Sequence, residues 1–342
     1  MRAVDEGLAQ AAAVARDLVG GAVELNRVVN GGRNSCIWRV QSSAGIFALK
    51  QYPPRRDDSR QRLSAEVGAL RLLERHHIDT VPRVVEVDDQ RGYALLSWID
   101  GGEVIHIGDD DIDAAVEFLS TVHGLRASLY SAAQPLAAEA CLSGRETLRQ
   151  INSRLCRLRS VIPPDQELAD FLEHSFASQF ANWSISAQRL AAESGIDFDA
   201  ELAQEWRSLV PSDFGFHNSL RRSDGSLAFV DFEYFGWDDP VKMTADILLH
   251  PGRILPSAQR LRFRQAATRL YGADDPAFAR RLSAYLPLFG CRWVLIMLNE
   301  FIPERWQRRT LAGESGSWSE AKVRQLTRAR EFLRTLPEKF ME

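Results

Sequence analysis

The stretch from Pro211 to Pro240 reads PSDFGFHNSLRRSDGSLAFVDFEYFGWDDP. In it, Asp213 precedes Asn218 by five residues, and a short apolar run that follows a polar turn ends on Asp231. Two carboxylates and an amide, on a loop and at the end of a predicted strand, are the groups that magnesium-assisted phosphoryl transfer requires. We therefore interpret the rest of the chain as the structure that brings a phosphate donor and an acceptor to these side chains.

Each of the three side chains has a chemical role that suits its residue type. Asp213 is predicted to accept the proton of an attacking hydroxyl, and Asn218 to offer a neutral oxygen to a hard cation. Asp231 is predicted to bridge that cation to the phosphates. Each also has an ordinary alternative, because Asp and Asn favour turns and an Asp after a strand can cap the next element. Their joint occurrence favours the functional interpretation.

The tripeptide DFG at residues 213–215 has the spelling of the metal-binding turn of protein kinases. If it played that part, a catalytic loop with an Asp and a following Asn should precede it. The segment from 194 to 209 contains no Asn, and we expect no strand between it and Asp213. The tripeptide is therefore interpreted as a coincidence, and Asp231 is the predicted metal ligand.

The composition is that of an ordinary globular protein with enough residues for two domains. Of 342 residues, 45% are apolar and 26% are charged, which suffices for a large core and a solvated surface. The formal net charge of −4 gives no support to binding nucleic acid or an anionic membrane, and neither partner is expected. The widely spaced cysteines predict neither a disulfide framework nor a zinc site: Cys36, Cys141, Cys156 and Cys291.

The sequence predicts a cytoplasmic location. The N-terminal segment carries Asp5 and Glu6 and lacks the basic start and apolar block of a signal peptide. The strongest apolar run, Trp293 to Leu298, is far too short to span a bilayer. The oligomeric state is left open by the sequence.

Strand signals dominate the N-terminal third of the chain. Alternating apolar residues and glycine-containing turns predict a three-strand meander over residues 25–52 and a hairpin over 84–98. Between them, apolar residues at helical spacing predict a helix over 59–75. The run Asp100-Gly101-Gly102 is the predicted boundary, because helical patterns prevail after it.

The remainder of the chain is predicted to be mostly helical. These predictions include a helix over 198–209 that leads into the opening stretch, and a long late helix over 276–300 with a break near Pro287. The predicted fold class is α+β, with residues 1–99 forming a small sheet with one main helix and residues 100–342 a larger helical region.

Lys50 is the predicted phosphate ligand of the N-terminal region. It lies at the end of the strand IFALK and can neutralise the α- and β-phosphates of a nucleotide. Glu66, in the next helix, is predicted to pair with Lys50 and hold it extended. The ordinary alternatives are a solvated edge charge for the lysine and an exposed helix face for the glutamate. The order strand, lysine, helix, glutamate and second hairpin favours the functional interpretation.

Two backbone segments complete the predicted nucleotide site. The turn at residues 30–35 can cover phosphates with its N–H groups, although a two-glycine hairpin is usually only a hairpin. The segment from Ser97 to Ile99 leaves a strand at the boundary, where backbone groups can contact adenine. The predicted contacts in these segments are Gly32, Arg33, Ser35, Ser97 and Ile99.

These motifs resemble those of the aminoglycoside phosphotransferases and the choline and homoserine kinases, over about residues 23–250. The resemblance implies the protein-kinase-like fold, with a nucleotide-binding N-lobe (1–99) and a C-lobe (100–342) that holds the catalytic loop, the metal site and the acceptor pocket. It implies ATP or GTP as donor, Mg²⁺, and phosphorylation of a hydroxyl on a small molecule such as a sugar or amino sugar. The implied roles are Asp213 as base, Asn218 and Asp231 as metal ligands, and Lys50 on the phosphates.

Further residues are candidates for contact with the acceptor. Glu233 and Asp238 lie just after the predicted metal ligand and can face the acceptor or a second magnesium ion, or be solvated loop charges. The resemblance places a late helix at the acceptor pocket, where Asn299 and Glu300 are polar within an apolar stretch. It also implies a structural role for Asp246.

One feature departs from the family pattern. The family commonly has His-Gly-Asp at the catalytic loop, whereas this chain has Pro211-Ser212-Asp213. This departure motivates the alternative of a nucleotide-binding pseudokinase with a regulatory role. The presence of Lys50, Asn218 and Asp231 beside Asp213 favours the enzyme. A true protein kinase is disfavoured, because no Ala-Pro-Glu segment follows Asp231.

Overall fold

The structure is a computed structural model that describes residues 2–28, 36–53, 61–129, 135–311 and 316–340. The chain forms two compact units. The first unit comprises Met1–Val104, Asn218–Gly236 and Gln307–Ser315, and the second comprises Ile105–His217, Trp237–Trp306 and Gly316–Glu342. The first unit thus includes a segment from the middle of the chain in addition to the N-terminal region.

A five-stranded antiparallel sheet forms the centre of the first unit. Its strands follow the spatial order β1-β2-β3-β5-β4. Their bounds are β1 (Val23–Arg27), β2 (Cys36–Ser42), β3 (Gly45–Gln51), β4 (Val84–Asp88) and β5 (Tyr93–Ser97). The predicted meander and hairpin are therefore confirmed, because β2 pairs with both β1 and β3, and β4 with β5.

The two faces of this sheet carry different residues. Helix α1 (Arg2–Val19) contributes Ala11 and Val14 to a buried cluster that also contains Trp38 and Leu49 of the sheet. Because successive side chains of a strand point to opposite faces, Lys50 projects away from α1. Helix α2 (Arg62–Arg75) packs against β4 and β5 and brings Glu66 to the side chain of Lys50.

A small second sheet completes the first unit. It has the order β6-β8-β9, formed by β6 (Gly102–Glu103), β8 (Ser219–Arg221) and β9 (Leu227–Phe229). The N–H of Phe229 donates to the carbonyl of Thr80 at 2.8 Å, which ties this sheet to the loop before β4. The polar turn predicted between 221 and 226 closes the β8–β9 hairpin, where the N–H of Arg222 donates to the carbonyl of Ser226 (2.9 Å).

The second unit is mainly helical. Its helices include α3 (Asp109–Gly124), α4 (Arg126–Leu129), α5 (Gly144–Arg159), α6 (Gln166–Asp170), α7 (Ala177–Glu193), α8 (Pro240–Leu249), α9 (Ser257–Gly272), α10 (Phe278–Met297) and α12 (Trp318–Phe340). A short helix, α11 (Pro303–Leu311), precedes the last of these. Strands β7 (Ser208–Val210) and β10 (Gly236–Asp238) pair with each other on either side of the segment that carries Asp213, Asn218 and Asp231.

Helix α10 is the central helix of the second unit, because it packs against α5, α7, α8 and α12. It continues through Pro287 into a 3-10 turn at Leu298–Phe301, so the predicted break is wrong. Within the described residues, the run Phe278–Phe301 is long and apolar enough to cross a membrane by length and composition, but 72% of its most apolar window is buried. That burial is typical of a core helix.

Two sequence-based predictions fail in the segment before the catalytic loop. The predicted helix over 198–209 is wrong, since the segment contains only a 3-10 turn at Gln204–Trp206 before β7. The carboxylate of Asp197 accepts bonds from the N–H groups of Asp199 (2.9 Å) and Ala200 (3.2 Å), and such local bonds compete with a helix. The expectation that no strand precedes Asp213 is also wrong, because β7 lies there.

The buried His123 on α3 should make the folded protein less stable in acid. It is buried beside Ser208 and Arg126, and burial lowers the pKa of its imidazole to about 4, from an ordinary value of about 6.5. The unfolded chain binds a proton at this site between those two values and the folded chain does not. Stability should therefore fall as the pH is lowered from 6.5 to 4, by up to about 3 kcal/mol from this group.

Urea unfolding across that pH range measures the effect. His123→Gln should flatten the slope of unfolding free energy against pH, whereas the exposed His174→Gln should leave it unchanged. Equal slopes in all three proteins would contradict the assignment to His123.

Candidate functional site

Lys50 lies at the centre of a buried charged cluster in the first unit. Only 3% of the residue is exposed, and its Nζ donates to Glu66 Oε2 at 2.5 Å and to Asp231 Oδ1 at 2.7 Å. The predicted pairing of Lys50 with Glu66 is confirmed. Burial alone would lower the pKa of Lys50, but Asp231 and Glu66 more than offset it and raise that pKa well above its usual value. The lysine is therefore charged and held extended.

Three further side chains lie beside this cluster: Tyr52, Arg62 and Glu233. The sequence did not single out Tyr52 or Arg62, and it predicted that Glu233 faces the acceptor or a second magnesium ion. Tyr52 lies two residues after Lys50 on the same face, and its hydroxyl donates to Glu66 Oε2 at 2.7 Å. A carboxylate oxygen of Glu233 lies 3.6 Å from Lys50 Nζ, and another lies 3.8 Å from Arg62 Nη1. The spacing of two residues along a strand is the signal that could have identified Tyr52.

The acidic side chains of the cluster can hold a cation. One oxygen each from Glu66, Asp231 and Glu233 lie within 4.8 Å of one another. Burial raises the pKa of Glu233 to about 7, and the negative charge of Asp231 contributes to the same shift. A group of carboxylate oxygens of this kind suits a hard divalent cation, and a bound cation would relieve the repulsion among them.

Backbone geometry brings Asn218 next to Asp231. The carbonyl of Asn218 accepts a bond from the N–H of Val230 at 3.0 Å, so the end of the catalytic segment runs beside the end of β9. Asp231 has a φ of 70°, a left-handed conformation that costs a non-glycine residue of order 1–3 kcal/mol. Both predicted metal ligands are thus in the first unit, with the buried lysine bonded to one of them.

Asp213 lies in the second unit on a tight turn after β7. Its N–H donates to the carbonyl of Pro211 at 3.0 Å, across Ser212, whose φ is 68°. The buried Lys242 on α8 donates from Nζ to Ser212 Oγ at 2.7 Å and supports the turn from below. The carboxylate side chain of Asp213 is 38% exposed.

Two histidines that the sequence interpretation did not assign contact this carboxylate or each other. His217 Nε2 lies 3.1 Å from Asp213 Oδ1, and the ring of His250 stacks on that of His217 at 3.8 Å. Burial would raise the pKa of Asp213, but the interaction with His217 and the positive charge of Lys242 outweigh it and hold that pKa well below its usual range. The five-residue spacing that identified Asp213 contained His217, but no sequence signal connected it with His250.

The remaining predicted residues are less directly supported. Gly32, Arg33 and Ser35 lie outside the described residues. The N–H of Ser97 donates to the carbonyl of Arg83 at 2.8 Å, and the predicted contact of Ile99 with adenine stays a prediction. In the 3-10 turn after α10, Asn299 is partly exposed and Glu300 is buried.

Asp238 is fully buried, with 0% exposure, which favours a structural role over contact with an acceptor. Its carboxylate accepts bonds from the N–H groups of Cys141 (2.7 Å) and Asp239 (2.8 Å) and lies 3.2 Å from Lys242 Nζ. Asp246, for which a structural role was implied, accepts a bond from Arg292 at 3.2 Å.

Lys242→Met should lower the free energy of unfolding by about 3–5 kcal/mol, because it leaves Asp238 buried without its cation and Ser212 without its donor. Chemical denaturation measures the change. The double variant Lys242→Met/Asp238→Asn should recover a substantial part of the loss, since it removes the buried charge as well. A single variant as stable as the parent protein would show that the pair does not support the loop.

The antiparallel sheet of the first unit and the mainly helical second unit are those of a protein-kinase-like fold. A model of the phosphotransferase enzyme family matches residues 25–282, about three quarters of the chain. The chain therefore belongs to the phosphotransferase enzyme family. A comparison with curated protein sequences found no match.

Solved structures of small-molecule kinases share this fold. The choline kinase of Cryptosporidium parvum Iowa II has a TM-score of 0.56 at 10% identity, over 92% of this chain and 90% of the other. The choline kinase LicA of Streptococcus pneumoniae has a TM-score of 0.55 at 16% identity, over 92% of this chain and 94% of the other. An aminoglycoside phosphotransferase in a ternary complex with ADP and hygromycin B has a TM-score of 0.54 at 15% identity, over 94% of this chain and 98% of the other.

Proposed function

We propose that this protein transfers the γ-phosphoryl group of ATP to a hydroxyl group of a small molecule, with Mg²⁺ as the metal ion. The observation that carries the proposal is the buried arrangement of Lys50 between Glu66 and Asp231. A lysine that is kept charged and extended, beside a carboxylate with metal-binding oxygens, suits the phosphates of a nucleotide. A scaffold without catalytic demand has no physical need to bury so many charges together.

The donor set fits a magnesium ion. Asp231 and Asn218 would be its ligands, and Glu233 would be a candidate for a second ion, since all three offer the oxygen ligands that hard cations prefer. Bound Mg²⁺ would neutralise charge on the β- and γ-phosphates. Lys50 would hold the nucleotide phosphates, and Glu66 would keep the lysine in its extended conformation.

Asp213 would orient the acceptor hydroxyl and accept its proton as the new O–P bond forms. Its lowered pKa keeps the carboxylate ionised at neutral pH, so it can act as an acceptor for that proton. The electron pair of the bond to the leaving oxygen would pass to ADP, and the acceptor would leave as a phosphate monoester.

A sugar or amino sugar is the proposed class of acceptor. Such molecules carry several hydroxyls and can use polar side chains around the base for orientation. Hygromycin B in the ternary complex of the related fold is consistent with this class, whereas the choline kinases suggest a smaller acceptor. Asn299 and Glu300 are proposed to contact it.

An acceptor screen tests the function. The protein would be incubated with MgCl₂ and either ATP or GTP, together with sugars, amino sugars, choline, homoserine or aminoglycosides, and nucleotide consumption would be measured. Turnover with one acceptor class, lost when EDTA is added, is the expected result. Tight nucleotide binding without turnover for any acceptor or for water would instead support the alternative of a pseudokinase.

A further inference from the structure

Three aromatic rings lie in a row behind the carboxylate of Asp213, and we call this row the ring ladder. The ring of His217 is stacked on that of His250, with centroids 3.8 Å apart and planes 6° from parallel. The ring of Trp293 meets His250 edge-on at 4.9 Å. The three rings come from the catalytic segment, the end of α8 and α10, so they connect Asp213 to the core of the second unit.

His250 is fixed by backbone bonds. Its Nδ1 accepts from the N–H groups of Gly252 and Arg253, both at 3.2 Å. These bonds require an unprotonated Nδ1, so the neutral ring carries its proton on Nε2. Trp293, which follows buried residues of α10, meets the ring of His250 edge-on. His250 is therefore a rigid platform for the ring of His217.

One ring nitrogen of His217 faces Asp213, and the other ring nitrogen is buried. Its Nε2 lies 3.1 Å from Asp213 Oδ1, and because an ionised carboxylate only accepts hydrogen bonds, Nε2 must donate. Its Nδ1 is buried and has no hydrogen-bond partner within the described residues. A Cβ atom at Gly215 would lie only 3.1 Å from that Nδ1, so glycine leaves just enough space for the ring.

We propose that His217 is a positioning residue for Asp213, and that His250 and Trp293 hold it in place. This inference rests on the proposed function, in which Asp213 is the base. One hydrogen bond from a clamped imidazole fixes the orientation of the carboxylate, so that it meets the acceptor hydroxyl in a reactive geometry. A displacement of about 1 Å in such a group can cost about a hundredfold in rate.

Steady-state kinetics test the proposal, with ATP, MgCl₂ and the acceptor that the screen identifies. If the screen shows only hydrolysis, water serves as the acceptor. His217→Ala should lower kcat about 10- to 100-fold and leave the KM for ATP within about threefold. His217→Gln keeps a hydrogen-bond donor at this position. On a logarithmic scale, its kcat should recover at least about a third of the difference between His217→Ala and the parent protein. The fraction of folded protein would be measured from the stoichiometry of ADP binding, so that partial unfolding cannot imitate the effect.

A double-mutant cycle tests the role of the ladder. If His250 acts through His217, then His250→Ala should lower kcat in the parent protein but change it little in the His217→Ala background. Additive effects of the two substitutions would contradict the ladder.

A measurement without turnover separates this inference from the proposed function. In protein labelled with ¹⁵N-histidine, the NMR signals of His217, assigned by their loss in His217→Gln, should show a proton on Nε2 and should shift in Asp213→Asn. A proton on Nδ1, or no response to Asp213→Asn, would overturn the inference. Loss of turnover in Asp213→Asn but not in His217→Ala would also overturn it and leave the proposed function intact. Full turnover in Asp213→Asn would overturn the role of Asp213 as base, on which this inference rests, whereas the absence of turnover with every acceptor would overturn the proposed function itself.

Discussion

Asp213→Asn is expected to lower kcat about 10²- to 10⁴-fold while nucleotide binding is retained. The amide has the same shape as the carboxylate and can still accept a hydrogen bond from His217, but it cannot take the proton of the acceptor hydroxyl. Nucleotide affinity should change little, because the charged cluster around Lys50 is untouched by this substitution. Steady-state kinetics and calorimetric titration with ADP and MgCl₂ measure the two quantities.

The control for this variant is Asp113→Asn, which makes the same chemical change at an exposed site of α3. Asp113 pairs with Arg262 on α9, and because this pair is exposed to water it should contribute little to stability. Its turnover should equal that of the parent protein. Retention of full turnover by Asp213→Asn would show that another group accepts the proton.

Lys50→Met is expected to impair both nucleotide binding and stability. The substitution leaves Glu66, Asp231 and Glu233 close together without the lysine that neutralises them, which should lower the free energy of unfolding by about 3–5 kcal/mol. Loss of the phosphate ligand should also weaken ATP binding and lower kcat/KM by at least about a hundredfold. Denaturant unfolding and ATP titration measure the two effects.

The matched control is Lys322→Met on α12. Lys322 lies 3.2 Å from Asp165 and over the ring of Trp318, but both charged side chains are partly exposed. Its loss should lower stability by no more than about 1 kcal/mol and leave turnover unchanged. Added Mg²⁺ should partly restore the stability of Lys50→Met, since a cation can replace the lysine charge; no response to Mg²⁺ would contradict a metal site there.

The turn before Asp213, the proposed base, shows how this chain differs from the family pattern it resembles. Pro211 and Ser212 stand where His-Gly is common, and the strained Ser212 is held by the buried Lys242. Asp213 is contacted from the other side by His217. Support for the base therefore comes from α8 and from the residue before Asn218, so the departure from His-Gly is not a reason to expect inactivity.

The sequence was most informative where the signal is local. Alternating apolar residues predicted the strands around Lys50, and apolar residues at helical spacing predicted α2, because these periods follow from backbone geometry alone. The same reasoning failed over 198–209, where the carboxylate of Asp197 and the pairing of β7 with β10 prevail over a weak helical pattern. A pattern within one segment cannot reveal a partner strand that lies elsewhere in the chain.

The sequence by itself determined the α+β class, the identity of the candidate base and metal ligands, and the pairing of Lys50 with Glu66. Only the tertiary structure showed that Arg62, Tyr52 and Glu233 surround that pair, and that His250 stacks on His217. The physical reason is that spacing along the chain constrains neighbours within a few residues, whereas packing brings together side chains such as His217 and His250 that belong to separate elements. The burial that raises the pKa of Glu233 likewise arises only when the elements around it pack.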